Sequence, residues 1–191
     1  MEIMKNIKKI LYTKIKYILF FIFIIFCDYS SAQAYLGHTN QDANIRIKPG
    51  FEDLVLKTLP LNTTIFIVTL KTDNNYYHVI DIESNIEGYV FKDLITIDEV
   101  VQKNPGSIFS SDGYNSEYAP IISVINSTDL QLSLKLNNTN YSIGPLDKRT
   151  ITLSPGDYDF IASSPGVIPD YGNAKLVANE MYSLTFYIIN K

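Results

Sequence analysis

The residue types that most often carry catalysis are sparse in this 191-residue chain. It has two histidines, His38 and His78, and a single cysteine, Cys27. Two histidines forty positions apart, with no partner cluster, make a poor zinc site. Neither has a Ser, Asp and Gly arrangement nearby that resembles a nucleophile elbow. The sequence therefore predicts no catalytic residue, no metal and no cofactor, and so a protein that is not an enzyme.

Two pairs of carboxylates are spaced at i, i+2, namely Asp81 with Glu83 and Asp157 with Asp159. Residues at this spacing share one face of a strand. Paired carboxylates can bind calcium or serve a glycosidase. Alternation on a solvated β-face explains both pairs more simply.

An aromatic and amide-rich group is the candidate for binding. Phe51 follows Pro49-Gly50, and Asp73, Asn74 and Asn75 directly precede Tyr76. An aromatic ring beside amides suits sugar or peptide recognition, because the ring takes the apolar face and the amides set orientation. The alternative is that Phe51 folds back as a cap and that Asn74-Asn75 only make a turn.

The elements that must position these residues are strands. Segments with apolar residues at a period of two recur along the chain and are rich in Ile, Val, Thr, Tyr and Phe, which β-structure prefers. Turn sequences such as KPGF, DNN, NNTN and SPGD separate them. Over 51–59 a short helix is an alternative, but the bracketing prolines favour a loop followed by a strand. The sequence therefore predicts an all-β fold.

The first 34 residues predict a signal-peptide helix. Five lysines in 1–16 precede the apolar run YILFFIFIIFC, and Ala-Gln-Ala follows at 32–34. Such an order is typical of a secretory signal. A retained anchor is less favoured, since eleven helical residues span only about 16 Å of a core of roughly 30 Å. We expect cleavage after Ala34, export to the periplasm or beyond, and no stable membrane insertion afterwards. Lipidation at Cys27 is a minor alternative because Phe26 is too bulky for that signal.

Without residues 1–34 the chain keeps 11 basic and 18 acidic side chains and has no cysteine. An acidic chain without a basic cluster lacks the electrostatic footprint of a nucleic-acid binder. It also lacks a polybasic segment for anionic lipid. No disulfide can stabilise it, so burial of apolar side chains must do so.

The remaining chain predicts two β domains, 37–98 and 118–191, joined by a linker at 99–117 that is rich in Gly, Pro, Ser and Asn. In the first, Asn44-Ile45-Arg46, Pro49-Gly50, the strand TTIFIV, an aromatic pair and Gly88-Tyr89-Val90 follow in order. Residues 43–97 resemble a bacterial Src-homology-3-like (SH3-like) domain, with tyrosines at both usual tryptophan positions and Asn62 at the turn before the middle strand.

That resemblance implies a small barrel whose ligand groove lies between the loops 47–53 and 71–77. It therefore makes Phe51, Asp73, Asn74, Asn75 and Tyr76 the expected ligand-binding residues. Residues 118–191, with turns every 8–12 residues, predict an antiparallel β-sandwich. The expected function is binding of a cell-wall glycan, peptide or envelope protein. The alternative is a structural or inhibitory subunit that acts only in a protein complex.

Overall fold

The computed structural model describes residues 33–103 and 108–188, and these residues form strands almost throughout. Fifteen strands and one short 3₁₀ helix, Lys92–Leu94, lie in the described part of the chain. The all-β prediction is confirmed. The predicted signal-peptide helix lies outside the described residues except for Gln33 and Ala34. No helix within 33–103 and 108–188 is long and apolar enough to cross a membrane.

The N-terminal half is a single seven-stranded sheet with the strand order β3-β2-β6-β5-β4-β1-β7. All strand pairs in this sheet are antiparallel. The 3₁₀ helix connects β6 to β7. The strands are β1 (Tyr35–Thr39), β2 (Ala43–Arg46), β3 (Val55–Leu59), β4 (Thr64–Ile67), β5 (Tyr76–Asp81), β6 (Ile86–Phe91) and β7 (Ile95–Val100).

The period-two pattern explains how these strands pack. In β2, Ala43 and Ile45 are buried while Asn44 and Arg46 point to the other face and stay partly exposed. In β6, Gly88 lies so close to β2 that a Cβ would sit 2.5 Å from the Arg46 carbonyl oxygen. A glycine is needed there because no side chain fits between the two strands. Over 51–59 the structure has a turn and then β3 from Val55, which confirms the preference for a loop followed by a strand.

The C-terminal half contains two four-stranded sheets that enclose one apolar core, as in a β-sandwich. Their orders are β11-β10-β13-β14 and β12-β9-β15-β8. The strands are β8 (Ser110–Tyr114), β9 (Ile121–Asn126), β10 (Leu132–Leu136), β11 (Thr139–Ile143), β12 (Lys148–Thr152), β13 (Gly156–Ser164), β14 (Val167–Leu176) and β15 (Glu180–Phe186).

One detail of the predicted antiparallel sandwich is wrong. Strand β15 pairs with β9 in parallel, from Met181 opposite Ile121 to Phe186 opposite Asn126. The other strand pairs of the two sheets are antiparallel. A parallel pair needs a long crossover, and here the chain through the five intervening strands, β10 to β14, supplies it.

Each half has its own apolar core, and a third cluster joins them. Its buried members are Ala34, Phe66, Ile80 and Tyr171. We call these four residues the shared cluster. The rings of Phe66 and Tyr171 meet edge to face with centroids 5.9 Å apart. The backbone N–H of Gly166 also donates to the Ile82 carbonyl at 2.7 Å. Residues 33–191 form one compact unit.

The predicted linker, 99–117, includes regular structure at both ends. Strand β7 extends to Val100, and β8 covers Ser110–Tyr114. Between them the N–H of Val101 donates to the Ala34 carbonyl at 3.0 Å. The stretch 104–107 lies outside the described residues. The two-domain division remains a prediction.

Candidate binding cleft

Arg46 and Phe51 form the first wall of the candidate cleft. Arg46 ends β2 and donates from Nη1 to the Asp53 carbonyl at 2.7 Å, which fixes its guanidinium across the loop 47–53. Its Cζ lies 5.2 Å from the centroid of the Phe51 ring. That geometry is a cation–π contact. Phe51 is nevertheless 76% exposed, so the loop holds the ring at the surface instead of burying it.

The turn between β4 and β5 places Tyr76, which lines the cleft at the start of β5. Asp73 and Tyr76 exchange two backbone hydrogen bonds of 3.0 and 2.8 Å. Asn74 and Asn75 between them have φ angles of 48° and 66°. This is a two-residue turn with both central residues left-handed, a conformation that asparagine tolerates. The Asn74-Asn75 pair therefore makes the tight turn that the sequence offered as an alternative.

One hydrogen bond ties the two loops together. The side-chain amide of Asn74 donates to the Pro49 carbonyl at 3.3 Å. Tyr76 follows the turn and is 8% exposed. Its ring meets Phe91 edge to face with centroids 5.4 Å apart. Phe51 and Tyr76, which the sequence predicted to act together, therefore line one cleft.

The cleft has a volume of about 360 Å³. Four of its seven lining residues are aromatic or aliphatic, and the other three carry a carboxylate, an amide and a guanidinium group. The lining residues are Asp42, Asn44, Arg46, Phe51, Tyr76, Phe91 and Leu94. Such a mixture is typical of sites that hold an apolar or planar ligand group and fix its orientation with a few polar contacts.

The sequence prediction and this lining agree in part. Asp73, Asn74 and Asn75 are exposed but are not among the lining residues. The sequence prediction did not include three of the lining residues, Asn44, Phe91 and Leu94. It also did not include the contact of Arg46 with the Phe51 ring. Phe91 is the cross-strand partner of Tyr76 in the β5–β6 pair, a register that the sequence pattern did not predict.

A larger cleft of about 520 Å³ lies on the sandwich. Its walls are mostly aliphatic and hydroxyl side chains, with the single carboxyl group of Asp170. Ile108 directly follows the undescribed stretch 104–107, and Tyr187 lies two residues before the undescribed end of the chain.

A charged group lies between the halves. Nε2 of His78 is 2.6 Å from Oε1 of Glu87, and Nζ of Lys135 in β10 contacts the same oxygen. Burial opposes ionisation of Glu87, but the hydrogen bonds and charges of His78 and Lys135 outweigh it and lower its pKa to about 2. This arrangement is an ion-pair network across the junction.

Asp81, of the first carboxylate pair, belongs to a buried ion pair. Asp81 is fully buried in β5, where Lys57 donates to its Oδ2 at 2.6 Å and Ser84 donates to the same oxygen. Burial raises the pKa of Asp81, but these hydrogen bonds and the Lys57 charge lower it overall. The solvated-face interpretation is therefore wrong for Asp81. Within 33–103 and 108–188, no three His, Cys, Asp or Glu residues group as metal ligands would.

The chain matches no protein-family model, no curated protein and no solved structure.

Proposed function

We propose that this chain is an exported, non-catalytic binding protein of a bacterial envelope, and that residues 37–98 are an SH3-like module. The binding surface is the cleft between Phe51 and Tyr76. One observation carries this proposal: Phe51 is 76% exposed, Arg46 contacts its ring, and Phe51 and Tyr76 line one cleft.

The exposed ring has a measurable cost. Leaving a phenylalanine in water instead of burying it forfeits about 1.5–3 kcal/mol. Here the loop does not merely leave the ring free, since Arg46 contacts it and bonds to Asp53 within the same loop. A ring held in place at the surface loses little further freedom when a ligand binds, which favours affinity.

Local structure supports the SH3-like assignment. The residues of the sequence pattern fall on consecutive elements, with Arg46 in β2 paired to Tyr89 in β6. After Gly88-Tyr89-Val90, a 3₁₀ helix over Lys92–Leu94 leads into β7, which begins at Ile95. The turn before β4 has Asn62 at a φ of 63°, so asparagine adopts the left-handed conformation that glycine would otherwise supply there.

The cleft suits a glycan or peptide of the cell wall. Three aromatic rings offer apolar faces, and Arg46, Asn44 and Asp42 offer donors and acceptors at the rim. The basic head, the apolar run and the small-residue exit of residues 1–34 support export to the compartment where such ligands occur.

The test is co-sedimentation of the purified protein, without its leader, with isolated peptidoglycan and with whole envelope fractions. Phe51→Ala should weaken binding more than about tenfold, as removal of a central aromatic anchor commonly does. Tyr114→Ala is the matched control, because Tyr114 is 79% exposed on the sandwich. If the two variants bind equally well, Phe51 is not an anchor and the proposal fails.

Two further variants separate turn chemistry from ligand contact. Asn75→Gly keeps the left-handed turn residue and removes the amide, so unchanged binding assigns Asn75 to the turn alone. Tyr76→Phe removes only the hydroxyl. Tyr76→Ala is a poor choice, because Tyr76 is only 8% exposed and its loss would leave a cavity beside Phe91.

A second candidate function is a subunit of a protein complex, and the edge of the N-terminal sheet favours it. Strand β3 lies at that edge, and Leu54, Val55 and Leu56 are 66%, 39% and 40% exposed. Apolar side chains on an open edge are typical of a pairing surface. Val55→Lys should abolish capture of an envelope protein by this edge and leave peptidoglycan binding unchanged.

A further inference from the structure

Ala34 belongs to the folded protein. It is fully buried, and its side chain packs in the shared cluster with Phe66, Ile80 and Tyr171. Its N–H donates to the Tyr171 hydroxyl at 3.1 Å, and its carbonyl accepts from the Val101 N–H at 3.0 Å. Both backbone groups of Ala34 are thus used, one by each half of the chain.

A cut after Ala34 would remove this residue. The Val101 N–H would lose its acceptor, and the Tyr171 hydroxyl would lose its donor. The new α-ammonium group would fall on Tyr35, directly beside a position that solvent does not reach. An unpaired backbone group and a charge at such a place both destabilise the fold.

The sequence offers a second cut two residues upstream. Like Ala32-Gln33-Ala34, the segment Ser30-Ser31-Ala32 has a small residue at its first and third positions. A leader exit needs that pattern and not one particular triplet. Gln33 is exposed, so a chain end there meets water.

We propose that the leader is removed between Ala32 and Gln33, and that Gln33 is the first residue of the exported protein. This inference rests on the proposed export. It replaces the exit after Ala34, because only the upstream cut leaves the shared cluster complete.

The direct test is the N-terminus of the protein recovered from the envelope or medium of a bacterium that expresses the full chain. Intact mass should place the start at Gln33. An N-terminal glutamine can cyclise, because its α-amine attacks the side-chain amide carbon and ammonia leaves. The uncyclised mass and the mass lower by one ammonia therefore both report this cut. Edman sequencing reads Gln33 only from chains whose α-amine is still free. A start at Tyr35 would overturn the inference and leave export intact. An intact Met1 would overturn both, and a lipidated Cys27 would overturn the cut alone.

Stability gives an independent readout. Proteins that begin at Gln33 and at Tyr35 are made from fusions whose tag is removed without extra residues. The Tyr35 form should melt about 5 °C lower or fail to fold, since losses of this kind shift Tm by several degrees in a chain of this size. Gln33→Ser in the longer form is the control and should leave Tm unchanged. Equal Tm values for the two forms would contradict the inference.

Discussion

The hydroxyl of Tyr171 makes two hydrogen bonds at the contact between the two halves. It donates to the Val101 carbonyl at 2.9 Å and accepts from the Ala34 N–H at 3.1 Å. Tyr171 itself is 7% exposed. Tyr171→Phe removes this one oxygen and keeps the ring against Phe66, so the substitution isolates the two hydrogen bonds.

The size of the effect follows from what each partner loses. The Ala34 N–H has no access to water, and an unsatisfied buried donor costs about 1–3 kcal/mol. The Val101 residue is only half-buried, so water can replace its lost donor at about 0.5 kcal/mol. We expect Tyr171→Phe to lower the free energy of unfolding by about 2 kcal/mol, which corresponds to about 4–8 °C in Tm.

Tyr158→Phe is the matched control, because its hydroxyl donates to the Ser154 carbonyl at 2.9 Å in an exposed position. That loss should stay within about 0.5 kcal/mol. Urea unfolding followed by tyrosine fluorescence measures both variants. In a chain that begins at Tyr35, the Tyr171→Phe loss should shrink by about 1 kcal/mol, since one partner is already gone. A loss no greater than that of the control would refute the assignment of these bonds.

The remaining predictions concern the junction between the halves. The pKa of Glu87 is lowered from 4.5 to about 2, so its contribution to stability is complete above pH 4.5 and is lost as the pH falls towards 2. Glu87→Gln should therefore reduce the loss of unfolding free energy on acidification by about 1–2 kcal/mol. This figure is reduced for solvent screening, because the Glu87 side chain is 31% exposed. Glu83→Gln is the control and should leave the acid dependence unchanged. If a protease site replaces 104–107, the cut halves should co-elute in size-exclusion chromatography, because the shared cluster holds them. Separate elution would mean that the two halves are independent domains.

Much of the local structure is predictable because short-range chemistry determines it. The period-two segments became strands, as the burial of alternate residues in β2, β9 and β10 shows. The turns are equally local. Six asparagines adopt positive φ at bends between or beside strands, and their amides tolerate that conformation. They are Asn62, Asn74, Asn75, Asn85, Asn137 and Asn179.

Contacts between distant segments could not be predicted. The parallel pairing of β15 with β9 depends on the insertion of the last strand between β9 and β8, which no local pattern encodes. The ion pair of Glu87 with Lys135 joins residues 48 positions apart. The composition of 99–117 describes that stretch alone, and so it predicted a linker without revealing that the flanking halves share apolar side chains.

In the candidate cleft too, local features could be predicted from the sequence and contacts between distant residues could not. Phe51 and Tyr76 were found because large aromatic residues beside turn signals are recognisable locally, and the structure brings both to one cleft. Asn74 and Asn75 were predicted to contact a ligand, and their positive φ angles show that they also form the tight turn before Tyr76. Arg46 contacts Phe51 only because β2 ends where the loop returns.

Two overlapping small-residue exits, 30–32 and 32–34, are equivalent as sequence patterns. What distinguishes them is a property of the fold some 137 residues away, the Tyr171 hydroxyl that accepts from the Ala34 N–H. A processing enzyme acts on an extended chain before folding, so it cannot sense that bond directly. The fold nevertheless constrains the outcome, because a chain cut after Ala34 lacks a residue to which both halves bond. The position of the leader cut therefore determines whether Ala34 is present to stabilise the junction between the halves.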